Sequence, residues 1–182
     1  MPGSAARSIG TSSDLPMLIE KLKARFGGEI LDAQNRRDEE TFTIERERAY
    51  DSFRALRDEP DFQFNFLTDV TAVDWLERKP RFDVVYQLNS LNLAHRIRVK
   101  IGVNGAEPWV NSVVGVWGSA DWLERECFDM FGIDFRGHPD LRRILMYDSF
   151  EGHPLRKDYL YNKRQPIVAE IDPVVNPIRS SR

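Results

Sequence analysis

Three runs in the middle of the chain alternate apolar and polar residues with a period of two, and that alternation limits what the chain can become. Phe62, Phe64 and Phe66 alternate with Gln63 and Asn65, and Phe82, Val84, Tyr86 and Leu88 repeat the pattern after a turn at 77–80. Ile97, Val99 and Ile101 then alternate with Arg96, Arg98 and Lys100. Successive side chains of a strand point to opposite faces, so each run has one dry side and one wet side. Short polar connections at 77–80 and 89–92 favour an antiparallel meander. Its dry face needs cover, and two segments upstream can supply it. Residues 14–26 predict a helix, with Asp14 as N-cap, Pro16 in the first turn and Leu15, Leu18, Ile19, Leu22 and Phe26 at helical spacing, ended by Gly27 and Gly28. Residues 49–56 predict a second, with Tyr50, Phe53 and Leu56 on one side, stopping before Pro60. Short strands at 30–31 and 41–44, separated by a charged turn at 35–40, complete an α+β reading with helices on one face of an antiparallel sheet.

Composition narrows the function classes. At 182 residues, 41% hydrophobic and 30% charged, the chain suits one domain with polar ends: a disordered leader at 1–13, an α+β domain at 14–160 and an extended tail at 161–182. The leader, MPGSAARSIGTSSD up to the first helix, lacks the apolar core of a secretory signal. The tail has Pro166, Pro173 and Pro177 among single hydrophobics, so it is expected to be either disordered or laid out along another protein. A net charge of −3 argues against nucleic acid, so Arg96, Arg98 and Lys100 read as the wet face of a strand. The single cysteine fits a reducing compartment and cannot hold an iron–sulfur cluster. No apolar run approaches the roughly 20 residues that span a bilayer. Nor is there a glycine-rich phosphate loop, since Gly102 and Gly105 sit in a turn.

The densest chemistry lies between Glu124 and Tyr159. Ser119 can cap a helix over 120–131 that Gly132 ends. On that helix Trp122, Leu123, Cys127 and Met130 form an apolar arc that contains Glu126, with Asp129 at its edge and Glu124 and Arg125 outside. A carboxylate in such company needs a cation, because breaking a buried pair costs roughly 3–5 kcal/mol. The expectation is that Glu126 pairs with Arg142, Arg143 or Arg156, whose planar forks suit carboxylates, while Cys127 is an inert packed thiol. Two echoing triplets, Gly137-His138-Pro139 and Gly152-His153-Pro154, predict similar turns: glycine admits positive φ, and proline keeps the preceding histidine extended. The first turn presents Arg142 and Arg143, the second Arg156. His138 and His153 read as hydrogen-bonded turn residues. The competing reading, a hydrolytic metal held by the histidines with Asp140 or Asp158, matches no compact ligand spacing. Trp109, Trp117 and Trp122 cluster just upstream, where an aromatic can serve an interface.

Glu124-Arg125-Glu126, Asp129-Met130-Phe131, His138, Arg142 with Ile144-Leu145, and the run from Glu151 through Gly152, His153, Pro154, Leu155, Arg156, Lys157 and Asp158 to Tyr159 carry a resemblance. Across 117–159 the chain resembles the C subunit of bacterial NADH:quinone oxidoreductase, the "30 kDa" subunit family of respiratory complex I. The resemblance implies a non-catalytic subunit of the peripheral arm, on the cytoplasmic side of the cell membrane, with no flavin, cluster or metal of its own. It implies packing against the quinone-site (D) subunit, near the cluster-carrying B and I subunits, while FMN and Fe–S clusters on partner subunits carry electrons from NADH to quinone. Catalytic, cofactor-binding and metal residues are then none. Glu124, Arg125, Glu126, Asp129, His138, Arg142, Arg143, His153, Arg156, Lys157, Asp158 and Tyr159 become structural or interface residues, with Arg156, Lys157 and Tyr159 the leading partner contacts. Related subunits serve complexes fed by ferredoxin or coenzyme F420, and membrane-bound hydrogenases, so the electron donor stays open.

Overall fold

A computed structural model describes residues 15–36 and 39–165; the expected leader and most of the expected tail lie outside the described residues. Helix α1 (Leu15–Phe26) leads into a hairpin of β1 (Ile30–Arg36) and β2 (Glu39–Ile44). Helix α2 (Ala49–Asp58) follows, then the strands β3 (Phe66–Asp74), β4 (Phe82–Ser90) and β5 (His95–Val103). A short strand β6 (Trp109–Asn111), helix α3 (Ala120–Phe131) and strand β7 (Asp134–Arg136) complete the elements. The predicted α+β class is the one observed.

The meander is present: β3, β4 and β5 pair antiparallel in succession. The β1–β2 hairpin joins that sheet by laying β2 parallel to β5, so the order is β1-β2-β5-β4-β3 and the sheet is mixed. Within the hairpin, Asn35 pairs with Glu40 and Arg36 with Glu39. The stretch expected as a charged turn is therefore mostly strand, because ladder pairing outweighs the weak β preference of these polar residues. A second difference concerns the phenylalanine triplet. Only Phe66 belongs to a strand; the amides of Phe62 and Gln63 bond to Glu59 O and that of Phe64 to Leu56 O, closing off the end of α2. Those orphan carbonyls take the amides that strand pairing would have used. Phe62 and Phe64 are buried by the turn, and Phe66 is exposed.

One face of the sheet is dry. Phe82, Val84, Tyr86 and Leu88 of β4, Ile97, Val99 and Ile101 of β5, and Phe42 and Ile44 of β2 are buried there. Leu18, Leu22 and Phe26 of α1 and Phe53 and Leu56 of α2 join the same core. Phe53 sits 4.6 Å from the Tyr86 ring and 5.7 Å from Trp117, whose indole N–H donates to Phe64 O at 3.0 Å. Trp117 is thus core, whereas Trp109 is sandwiched between the guanidinium groups of Arg46 (3.9 Å) and Arg136 (3.7 Å). The other face is wet, and Arg98 there reaches Glu39 at 2.9 Å. Edge strand β3 is covered by α3: Cys127 donates its S–H to Val70 O (3.4 Å), and Ser119 Oγ donates to Leu67 O (3.3 Å). Such cover protects an edge from stray pairing. Burial raises the Cys127 thiol, as expected for an inert packed cysteine. No helix among the described residues is long and apolar enough to cross a membrane.

Candidate functional site

Helix α3 has the predicted span, and Gly132 ends it in the left-handed region (φ 70°), its N–H donating to Phe128 O. Ser119, the expected N-cap, makes no side-chain cap, because its hydroxyl is engaged with β3. The buried stripe is a correction. Ala120, Glu124, Cys127 and Phe131, spaced i, i+4, i+7 and i+11, face the core, while Trp122 is 70% exposed and Glu126 is exposed without an ion pair among the described residues. The helical wheel runs the apolar arc from Trp122 through Met130 to Cys127, with Glu126 inside it. The true centre lies on small and acidic residues whose partners come from distant segments, which the helix alone does not reveal. The buried carboxylates are Glu124 and Asp129, both fully inaccessible.

Glu124 faces the chain before the helix. Ser112 Oγ donates to its Oε2 at 2.6 Å, and the Val113 amide to its Oε1 at 2.7 Å. Burial pushes its carboxyl up to about 7, against the pull of those two bonds and with a smaller push from Asp121. Asp129, on the opposite side of the helix, holds the chain that follows. Its Oδ1 accepts Arg143 Nη1 at 2.6 Å, and its Oδ2 accepts the amides of Ile144 (3.1 Å), Leu145 (2.8 Å) and Met146 (2.8 Å). Burial alone would raise the Asp129 carboxyl, but three amides and a guanidinium outweigh it and hold the group below its ordinary value. Arg143 also donates to Phe150 O and Gly152 O, both at 3.0 Å, and Arg125 donates to Arg142 O and Arg143 O. An arginine does pair with a buried helix carboxylate; the carboxylate is Asp129 rather than Glu126.

The two Gly-His-Pro turns occupy the two ends of this helix. Gly137 and Gly152 both have positive φ, as the sequence predicts. His138 Nε2 donates to Asp121 O in the first turn of α3 (3.1 Å), and its Nδ1 accepts the Asp140 amide at 3.0 Å. At the other end, four consecutive carbonyls have no partner within the helix. His153 Nδ1 donates to Asp129 O (2.9 Å), the Leu155 amide to Met130 O (3.1 Å), Arg156 Nε to Phe131 O and Arg156 Nη2 to Gly132 O (3.4 Å). The cation also opposes the negative end of the helix dipole. Burial lowers the pKa of His153, as do the neighbouring Arg156 and Arg143, against the hydrogen bond to Asp129 O. Arg156, expected as a leading partner contact, is therefore committed to a helix end in its own chain.

Packing at that end is tight. A Cβ on Gly132 would lie 2.4 Å from His153 Nε2 and 2.8 Å from Arg156 Nη2, with the backbone already at φ +70°. Gly132→Ala is expected to cost at least the roughly 1–2 kcal/mol of the left-handed conformation and to displace the cap. Thermal unfolding should show a lowered midpoint, and limited proteolysis should cut first within 150–160; an unchanged midpoint would contradict the tight cap.

A second node ties the remaining residues. Asp74 Oδ1 and Oδ2 accept Arg81 Nε (2.9 Å) and Nη2 (2.7 Å), and the same carboxylate accepts the amides of Leu76 and Lys157, each at 2.8 Å. Arg81 reaches on to Asp158 at 2.8 Å. Its hydrogen bonds hold Asp74 well below the usual carboxylate range against burial. Tyr159 stacks on Phe150 at 6.0 Å, while Arg142 stays exposed beside Asp140 at 2.8 Å. Sequence reasoning misses Asp74 and Arg81. Asp74 carries a usable signal, since it shares its strand face with Val70 and Ala72 and so points inward.

Of the expected residues, all but Glu124, Glu126 and Arg142 are drawn into an internal lattice that straps the segment 137–160 over α3 and β3, while Glu124 ties α3 to 112–113. Among the described residues no three His, Cys, Asp or Glu side chains converge as metal ligands, and His138 spends both ring nitrogens on backbone groups. Outside the lattice, beside charged residues such as Glu126 and Arg142, large apolar side chains are exposed: Trp122, Leu145, Leu155, Leu160 and Tyr161.

Known proteins are similar to this chain. The chain is 52% identical over 141 residues to the C subunit of NADH-quinone oxidoreductase from Citrifermentans bemidjiense, covering 78% of this chain and 86% of that protein. It is 44% identical over 162 residues to C subunit 2 of the same enzyme in Rhizobium etli, covering 87% and 86%. Among solved structures, a trypsin-resistant fragment (1–134) of Nqo5 superposes with a TM-score of 0.59 at 34% identity, covering 70% of this chain and 98% of the fragment. A chain of an archaeal membrane-bound sulfane sulfur reductase shares the fold at TM-score 0.69 and 21% identity, covering 81% and 86%. Residues 42–165, from β2 to the end of the strap, match the family described as respiratory-chain NADH dehydrogenase, 30 Kd subunit, and the chain belongs to that family, the C subunits of NADH-quinone oxidoreductase.

Proposed function

We propose that this chain is a non-catalytic scaffold in the peripheral arm of its complex, on the cytoplasmic side of the cell membrane. It packs against the quinone-site (D) subunit, near the Fe–S-carrying B and I subunits, and binds no cofactor itself. FMN and Fe–S clusters on partner subunits carry electrons from NADH to quinone, coupled to ion translocation. The chain's contribution is geometric: supporting groups that hold a reacting constellation in place are part of its precision.

One observation carries this reading. Arg143, His153 and Arg156 of the strap are committed to α3, while large apolar side chains stand outside, Leu160 at 67% and Tyr161 at 97% exposure. A lattice so satisfied leaves few groups for chemistry, and exposed aromatic and aliphatic anchors are what a protein partner buries. The expected contacts move accordingly, from Arg156 to Trp122, Leu145, Leu160 and Tyr161. Replacing Trp122, Leu160 and Tyr161 together by alanine should lower co-purification of the quinone-site subunit at least tenfold from a tagged chain. Stability should change by no more than about 0.5 kcal/mol, as for surface sites in general. Undiminished co-purification would overturn the assignment.

A further inference from the structure

Glu40 lies on the inner face of β2, in line with Phe42 and Ile44, and is fully buried. Both of its carboxylate oxygens lack a hydrogen-bond partner among the described residues, unlike Glu124 and Asp129. Buried polar groups are almost always paired, so an orphaned carboxylate calls for a physical account. The cover over it is α1. Leu22 and Phe26 line a small hollow with Phe42, Ile44, Val99 and Ile97, and Ile97 is the residue paired with Glu40 across β2 and β5. One helical turn advances about as far as two strand residues, roughly 6 Å. Leu18, also buried in this core, lies one turn before Leu22 on the same face of α1.

Among the described residues no charged side chain bonds to it, although Arg96 and Arg98 line a small hollow beside it. Across β5, Arg96 is exposed and Arg98 points to the wet face, where Glu39 holds it at 2.9 Å. β1 brings Asn35 opposite Glu40. On α1, Glu20 is exposed and Lys21 reaches Asp61 at 3.3 Å. The chain beyond α2 contributes the apolar Phe62 and Phe64 to this core. An uncharged carboxyl can be tolerated here; an ionised one has no hydrogen-bond partner among the described residues.

We propose that Glu40 is a proton latch for the N-terminal helix: with the carboxyl neutral α1 closes on the sheet, and with it ionised α1 lifts away. Burial raises the carboxyl to about 7 from an ordinary 4.5. A raised carboxyl stabilises the closed form fully below the unfolded value, and that contribution is lost as pH rises towards the folded one. Opening of α1 should therefore increase between about pH 4.5 and 7, and level off above.

Hydrogen exchange of the α1 amides in the full chain, corrected for intrinsic rates and followed from about pH 5 to about 8, reads this directly. The opening constant should rise on the order of a hundredfold, matching a shift of about two units or more. It should stay flat in Glu40→Gln and Glu40→Leu, the latter free of any amide of its own to satisfy. A pH-independent opening in the natural chain, or the same rise in both variants, overturns the proposal. If both variants fail to fold, carbon-detected titration of Glu40 in the natural chain decides it: a midpoint near 7 supports the latch and one near 4.5 refutes it.

Discussion

Asp129→Asn should destabilise the domain by roughly 3–5 kcal/mol, the cost of removing one partner from a buried charge pair. The carboxylate is fully buried and accepts four hydrogen bonds from a stretch of only four residues, Arg143 to Met146. An asparagine keeps the volume but loses the charge, and its NH2 would confront donors. Arg143, its side chain 17% exposed, would keep only the carbonyls of Phe150 and Gly152. Denaturant unfolding provides the measurement, with Glu126→Gln as control; that exposed residue should shift stability by less than about 0.5 kcal/mol. A loss below about 1 kcal/mol for Asp129→Asn would mean that the strap does not depend on this carboxylate. The pH dependence has a definite sign. Because the Asp129 carboxyl is held below its ordinary value, its contribution is present above the unfolded value and disappears as pH falls through the folded one. The acid limb of the stability curve should therefore be shallower in the variant.

Arg81→Leu is the second large effect, again roughly 3–5 kcal/mol by loss of one partner of a buried pair. It removes a two-pronged contact from Asp74, which is 3% exposed, and a link to Asp158. It also removes a guanidinium lying 4.8 Å from the Phe82 ring. The amides of Leu76 and Lys157 would remain on Asp74 and soften the loss. A double-mutant cycle with Asp74→Leu separates the pair from its surroundings. The combined variant should lose less than the sum of the singles by about 0.5–3 kcal/mol, the usual range for groups in contact. Strict additivity would show that the contact carries no energy. The strap should also loosen where it is tied: residues 156–160 should become more accessible to proteases in the single variant.

Much of this architecture is legible in the sequence because it rests on short-range regularities. Alternation of period two locates β4 and β5, and helical spacing with a terminal glycine yields the span of α3. The echo of two Gly-His-Pro triplets announces two similar turns. The same logic misplaces the strand at 62–66, since a period of two in three phenylalanines does not tell a ladder from a turn that folds onto a helix end. It also chooses the wrong carboxylate. Glu126 lies near Trp122 on the helical wheel, yet a wheel records only neighbours on the same helix, and the groups that decide burial come from 112–113 and 143–146.

What local order determined by itself was the helices and the strands β4 and β5, because those preferences are settled by sterics and by hydrophobic period within a few residues. The tertiary structure decided that β2 runs parallel to β5, that the two turns meet opposite ends of one helix, and that Asp74, Glu124 and Asp129 are among the carboxylates taken inside. Each of those outcomes joins residues far apart in the chain through hydrogen bonds whose geometry exists only once the sheet and α3 are packed. A buried charge is tolerable only where such distant partners converge.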